Sequence, residues 1–300
     1  MTRRGWALFA ALSVLWGVPY LMIKVAVAEV SVPVLVFARS GIGALVLLPL
    51  ALRDGQLATL ARRWRPLAAF AALEVVIPWC LLSSAESRLT SSTTGLLIAA
   101  TPIFAAVAVV LFRVPGAERP GGARSLGLAI GFAGVLILAA PELGGDGWAI
   151  GEALLASACY ATAPLIATRW LDDIPAASLT VACLALSAAV CLPPAAMTWP
   201  STSPSGEVLA AIAGLAVVCT ALAYVGFFAL IHEVGPSRAV VFTYVNPAVA
   251  VVAGVLVLDE PFTVTTLVSF LLILGGSFLS AGPKIPEASP RAAGSWPARQ

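Results

Sequence analysis

Three ionisable side chains, Lys24, Arg39 and Glu74, lie inside long apolar runs, and their chemistry needs an explanation first. A charge costs on the order of 2.5 kcal/mol or more at the centre of a bilayer span, and less near its ends. Each of the three must therefore reach an interface, find a partner, or serve the function. Lys24 and Arg39 fall one or two turns from the ends of neighbouring runs, near Glu29 across the connecting turn. Either their long stems snorkel to the outer interface, or they form a charge pair or substrate contact at an outer mouth. Glu74 is the one acid well inside a run. It is read either as a protonatable group that couples substrate movement to protons, or as a neutral, hydrogen-bonded or water-facing residue with a packing role.

Uncharged groups form a second pattern. Trp16 and Tyr20 are one helical step of four apart, as are Thr220 and Tyr224 and also Trp79 and Ser83, while Thr243 precedes Asn246 by three. Such spacing puts each pair on one helix face. Rings beside hydroxyl or amide groups suit a small amphiphile, the rings meeting its apolar part and the polar groups its head. The alternative for any one of them is ordinary bundle packing. Pro102 and Pro247 each remove a backbone hydrogen bond in the middle of an apolar run, just after Thr101 and Asn246. Paired interruptions of this kind point to a transporter site, or else to plain kinks. The expected substrate site thus comprises Trp16, Tyr20, Trp79, Thr101, Tyr160, Tyr224, Thr243 and Asn246 near the midplane, with Pro102 and Pro247 as hinges.

The elements that must position these groups follow from composition. Hydrophobic residues make up 60% and charged residues 11% of the 300 positions, at a mean hydropathy of +0.99, so water is not the main solvent. A membrane helix needs roughly 20 apolar residues. Ten segments qualify, near 5–28, 32–52, 66–84, 90–112, 124–141, 148–168, 176–197, 207–231, 236–258 and 263–282. The fold class is therefore an all-α integral membrane protein of ten transmembrane helices. Of seventeen basic residues, Lys24 and Arg39 lie within spans and Arg88 alone falls in an outer loop; the other fourteen occupy the alternate loops and the two ends. Since Lys and Arg are retained on the cytoplasmic side, both termini are expected there. The stretch 283–300 reads as a disordered cytoplasmic tail.

An offset of about 145 residues places Thr101-Pro102 on Asn246-Pro247 and Trp79 on Tyr224. Five spans per repeat is odd, so residues 1–141 and 142–282 are expected to be two five-helix repeats inserted with opposite orientations. Gly127, Gly131 and Gly134, with Gly275, Gly276 and Ser280, make the fifth and tenth spans packing elements. There, truncating Phe278 is expected to affect folding more than affinity. The alternatives to a transporter are a channel, which would want a continuous polar stripe that these apolar spans do not offer, and a membrane-embedded enzyme, whose chemistry finds little support. His232 is the single histidine, no His-Glu-x-x-His, Gly-x-Ser-x-Gly or P-loop occurs, and the five cysteines show neither a disulfide nor a zinc spacing. No cofactor, metal or nucleic-acid partner is expected; the partners are a small-molecule substrate and the lipid bilayer, with the chain monomeric or weakly self-associating.

These residues resemble the ten-helix EamA-type members of the drug/metabolite transporter superfamily. Leu15-Trp16-Gly17-Val18-Pro19-Tyr20-Leu21-Met22-Ile23-Lys24 looks like that family's Trp-Gly to Lys signature, Val32-Pro33 followed by Arg39 matches its second span, and Asn246-Pro247, Gly254 and Asp259-Glu260-Pro261 repeat Thr101-Pro102 and Glu118. The turn from Arg113 to Arg119 is longer than usual. The resemblance covers about residues 5–282. It implies an exporter of amino acids, related metabolites or toxic organic compounds in a bacterial inner membrane, working by alternating access.

Overall fold

The computed structural model describes residues 2–112, 122–141, 146–235 and 239–281, and no strand occurs among them. Glu118, the turn from Arg113 to Arg119, most of the loop after Pro141 and the tail lie outside the described residues. In chain order the helices are α1 (Arg3–Gly17), α2 (Pro19–Ala26), α3 (Val32–Asp54), α4 (Leu57–Arg62), α5 (Trp64–Ala71), α6 (Ile77–Glu86), α7 (Ser91–Ile98), α8 (Thr101–Leu111) and α9 (Gly122–Ala139). They continue as α10 (Gly147–Trp170), α11 (Ala176–Met197), α12 (Gly206–Ala213), α13 (Ala223–Val234), α14 (Asn246–Val257) and α15 (Val264–Ala281). Joined end to end, these give seven helices long and apolar enough to cross a membrane, and three shorter apolar ones, Ser125–Ala139, Phe242–Val257 and Val264–Leu279.

Helix is the only economical choice for such sequence, because in lipid each backbone amide must be satisfied within its own segment. Where proline breaks that rule, the structure supplies a substitute. Pro102 cannot donate to the Ile98 carbonyl, and the Thr101 hydroxyl does so at 2.7 Å. The run read as 90–112 is consequently two half-helices, α7 and α8. Before Pro247 a 3₁₀ turn (Val240–Tyr244) leads into α14, and the Asn246 side-chain amide, assigned the orientation in which its nitrogen is the donor, reaches the Phe242 and Ser13 carbonyl oxygens at 3.2 and 3.3 Å.

Two π-helical stretches, Ala72–Val76 between α5 and α6 and Gly214–Leu222 between α12 and α13, were not visible in the hydropathy pattern. Under the offset of about 145 residues the first falls within the second. Each widens the helix and frees carbonyls from the α ladder, a device common at functional sites.

Packing follows small residues. Gly131 of α9 faces Gly276 of α15 so closely that a Cβ on Gly276 would lie 2.5 Å from the Gly131 Cα. Gly275, in contrast, has open space. Ser40 donates to Ser187 at 3.0 Å, joining α3 to α11. Leu45, Leu111, Leu256 and Phe278 point outward, at 70–77% exposure, where lipid is as good a solvent as a protein core. The expectation for Phe278 is therefore corrected: its ring points away from the helix bundle, so its loss should leave packing intact. Trp6, Trp148 and Trp199 lie at helix ends and are exposed, as interfacial rings are.

Loop contacts are selective. Glu29 accepts from the Ser205 amide and Ser31 bonds Thr198, joining the α2–α3 and α11–α12 turns. Arg63 forms a two-pronged pair with Asp173, and Ser178 donates to Asp54, joining the α3–α5 and α10–α11 turns. Arg88 pairs with Glu152 at 2.6 Å, and Thr2 bonds Glu233.

Candidate functional site

Arg39 organises the interior. It sits two turns into α3 and is only 8% exposed. Its Nε donates to the Thr220 hydroxyl at 3.1 Å, and Thr220 in turn gives its proton to the Leu215 carbonyl, a five-residue reach that the π stretch makes available. The guanidinium carbon lies 3.7 Å above the centre of the Trp79 ring, a cation–π contact that offsets part of the cost of burying charge. The hydroxyls of Tyr160, Tyr224 and Tyr20 and the Cys219 thiol are within electrostatic reach of it.

This geometry sets aside snorkelling and the Glu29 pair for Arg39. Arg39 turns inward onto Trp79 and neither snorkels nor pairs with Glu29, whose carboxylate is taken by the Ser205 amide. Lys24 likewise points to protein. Its ammonium donates to the Glu86 and Leu89 carbonyls at 2.8 and 2.6 Å, closing the C-terminal end of α6 in place of the missing next turn. It is a helix cap and does not line the ring cluster.

Trp16 forms the aromatic wall. Its Nε1 donates to the Cys219 carbonyl, one of those loosened by the π stretch, at 3.1 Å. Its ring meets Tyr224 edge-on at 5.5 Å and lies 5.2 Å from both Phe227 and Phe242. Trp16, Tyr20, Trp79, Tyr160 and Tyr224 are thus gathered around Arg39 from five different helices. Asn246 joins at the edge, through its contact with the Phe242 carbonyl. Thr101 and Thr243 are placed otherwise. The Thr101 hydroxyl is used by its own backbone, and Thr243 is exposed in the 3₁₀ turn.

Glu74 occupies the first π stretch, half-buried and without a hydrogen-bond donor among the described residues. Its carboxyl acts electrostatically on Tyr160, Tyr224 and Cys183. Tyr160 and Tyr224 are thus within electrostatic reach of both the acid and the guanidinium.

Sequence reasoning missed Glu86. Lying at the end of an apolar run beside Arg88, it reads as a loop acid, yet it is 0% exposed and neither carboxyl oxygen accepts a hydrogen bond from a described residue. Thr94 is beside it but gives its proton to the Thr90 carbonyl. Glu260 was noted only as part of a repeated motif. It accepts from the amides and hydroxyls of both Ser91 and Ser92, at 2.6–3.0 Å, and so caps the N-terminus of α7.

A groove of about 430 Å³ between α3 and the second π stretch is lined by Val46, Pro49, Leu50, Val217, Leu222 and Val225. Arg53 is its one charged residue. It offers nothing to orient a polar solute, so the ring cluster and not this groove is the candidate site.

Apolar spans, two broken helices and a charged, aromatic-walled interior, with helix and no strand among the described residues, make this a multi-pass membrane protein. The chain belongs to the EamA-like transporter family, whose pattern matches residues 3–140 and again 147–282. It is similar to an uncharacterized transporter of Archaeoglobus fulgidus, 22% identical over 92% of this chain and 98% of that one. Similar too are the uncharacterized inner membrane transporter YedA of Escherichia coli K12, 29% identical over 83% and 80%, and the uncharacterized transporter YvbV of Bacillus subtilis, 26% identical over 89% and 88%. A crystal structure 17% identical in sequence superposes with a TM-score of 0.62, covering 92% of this chain and 96% of the other, which shows the shared fold.

Proposed function

We propose that this chain is a secondary transporter of the inner membrane that exports small amphiphilic metabolites, such as amino acids, by alternating access about a site near the midplane. The observation that carries the reading is the ring cluster around Arg39, assembled from helices of both halves of the chain. A site shared between halves is exposed to either side as one half rocks against the other. The aligned π stretches and the helix breaks at Pro102 and Pro247 supply local backbone freedom where such movement needs it.

Truncating the cluster tests this. Trp16→Ala removes one hydrogen bond and three ring contacts, and should weaken apparent substrate affinity about tenfold or more. Asn246→Ala should cost about two- to tenfold. Uptake into vesicles, with substrates first selected by thermal stabilisation across an amino-acid and metabolite panel, gives the measurement. Wild-type affinity in both variants places the site elsewhere.

In the proposed topology ten spans form two inverted repeats, residues 1–141 and 142–282, with both termini cytoplasmic and the chain monomeric or weakly self-associating. The loop contacts support it, since each joins turns that ten alternating spans put on one side. Reporter fusions after Arg3 and after Pro283 should give cytoplasmic signals, and one in the 142–147 loop a periplasmic signal. A periplasmic C-terminus removes the inverted repeat.

Coupling is assigned to Glu74. Glu74→Gln should abolish uphill transport driven by a pH gradient while leaving counterflow exchange intact. Undiminished gradient-driven transport makes Glu74 a structural residue.

A further inference from the structure

We propose that Arg39 is the carboxylate anchor of the transport site, which makes the substrates monocarboxylates with an apolar or aromatic side group. The inference rests on the ring cluster being the transport site. It starts from a charge imbalance. The ion pairs among the described residues are Arg63–Asp173 and Arg88–Glu152, both at helix ends, and neither involves Arg39. The groups in reach of its guanidinium are three phenols and a thiol. An ion held in a low-dielectric interior without a counter-charge is strongly destabilising, and cation–π contact offsets only part of that. An anion that arrives and leaves with each cycle supplies what the resting protein lacks.

The shape of the site specifies the anion further. Thr220 fixes Nε, and Trp79 covers one face of the guanidinium plane. What remains is the edge carrying the two terminal nitrogens, neither of which donates a hydrogen bond to a described residue. That edge presents two parallel N–H groups, the complement of a single carboxylate. One fixed guanidinium with no second cation beside it suits a monovalent head in preference to a phosphate. Trp16, Tyr224 and Phe227 then form the wall for the apolar part. Glu74, within electrostatic reach of the same Tyr160 and Tyr224, is the acid available to the ammonium of an amino acid.

Matched acid and amide pairs test the assignment on the full-length purified protein. L-leucine against L-leucinamide, L-phenylalanine against L-phenylalaninamide, and phenylacetate against phenylacetamide differ only at the anchored group. The acids should stabilise the wild type thermally, and the amides should bind at least about tenfold more weakly. Arg39→Gln should erase that preference while leaving the unliganded melting temperature unchanged or higher, because it removes an uncompensated charge. Arg39→Lys keeps the charge but loses the two-pronged edge, and should also lose most of the preference. Equal binding of acids and amides by the wild type, no stabilisation by any of the acids, or a preference that survives Arg39→Gln overturns the proposal. Failure of the two readings is separable. Loss of acid binding in Trp16→Ala with the preference intact in Arg39→Gln keeps the aromatic site and removes the anchor. Loss in Arg39→Gln with wild-type binding in Trp16→Ala keeps the anchor and removes the aromatic wall.

Discussion

Glu260→Ala should lower the stability of the protein by about 3–5 kcal/mol, the scale of breaking a buried, fully hydrogen-bonded charge. Four donors, the amides and hydroxyls of Ser91 and Ser92, lose their acceptor at once, and two of them are backbone groups of the first turn of α7 that no residue of that helix can satisfy. The positive end of α7 also loses its anion. Gly254 belongs to the same clasp, because a Cβ there would lie 2.8 Å from both serine hydroxyls and closer still to the Glu260 carboxylate. Burial acts to raise the pKa of Glu260, but the four hydrogen bonds outweigh it and hold the group below its ordinary value of 4.5. A depressed folded-state pKa contributes stability that is present above the unfolded value and lost as pH falls through the folded one. Thermal unfolding in detergent should therefore show the wild type losing stability as pH drops below about 4.5, and Glu260→Gln losing less over that window. Identical melting temperatures for wild type and Glu260→Ala at neutral pH would show that the clasp contributes nothing.

The clasp shows what was and was not legible before the structure. Glu260 was noticed because its motif repeats, yet its role depends on a helix start some 170 residues earlier in the chain, which helical periodicity does not encode. The aromatic wall was more accessible. Trp16, Tyr20, Trp79 and Tyr224 reveal themselves through four-residue steps that put ring and polar group on one face, and a polar face in an apolar helix must turn inward. Arg39 was seen as an anomaly but sent the wrong way, because its nearest acid in sequence, Glu29, is bonded to a different turn. The use of the Thr101 hydroxyl by its own backbone has a local reason that was available: a hydroxyl just before a proline is well placed to take up the carbonyl that the proline orphans. The two π stretches carry no compositional mark. They appear only as an alignment of Glu74 with Cys219, and it is the second stretch that turns the Cys219 carbonyl toward Trp16 and lets Thr220 hold Arg39.

Gly276→Ala should cost about 3 kcal/mol, a large effect for one methyl group. The new Cβ would stand 2.5 Å from the Gly131 Cα, 2.6 Å from the Gly127 carbonyl oxygen, and nearer still to the Gly131 nitrogen. These are backbone atoms of a rigid helix, so no rotamer change relieves the overlap and α9 must move away from α15. Separation would strip the van der Waals contact that holds helices together where no hydrophobic effect acts between them. Gly275→Ala is the control: one residue earlier on the same helix, its Cβ would meet nothing within 4 Å, so its effect should stay within about 0.5 kcal/mol. Phe278→Ala, which removes a lipid-facing ring, should behave like Gly275→Ala. Melting temperatures of the three variants in one detergent give the comparison. Because none of the three residues belongs to the ring cluster, the fraction of Gly276→Ala that folds should keep wild-type substrate affinity. Equal melting temperatures for Gly276→Ala and Gly275→Ala would mean that the two helices do not approach at Gly131, and a lowered affinity would mean that this helix pair shapes the transport site.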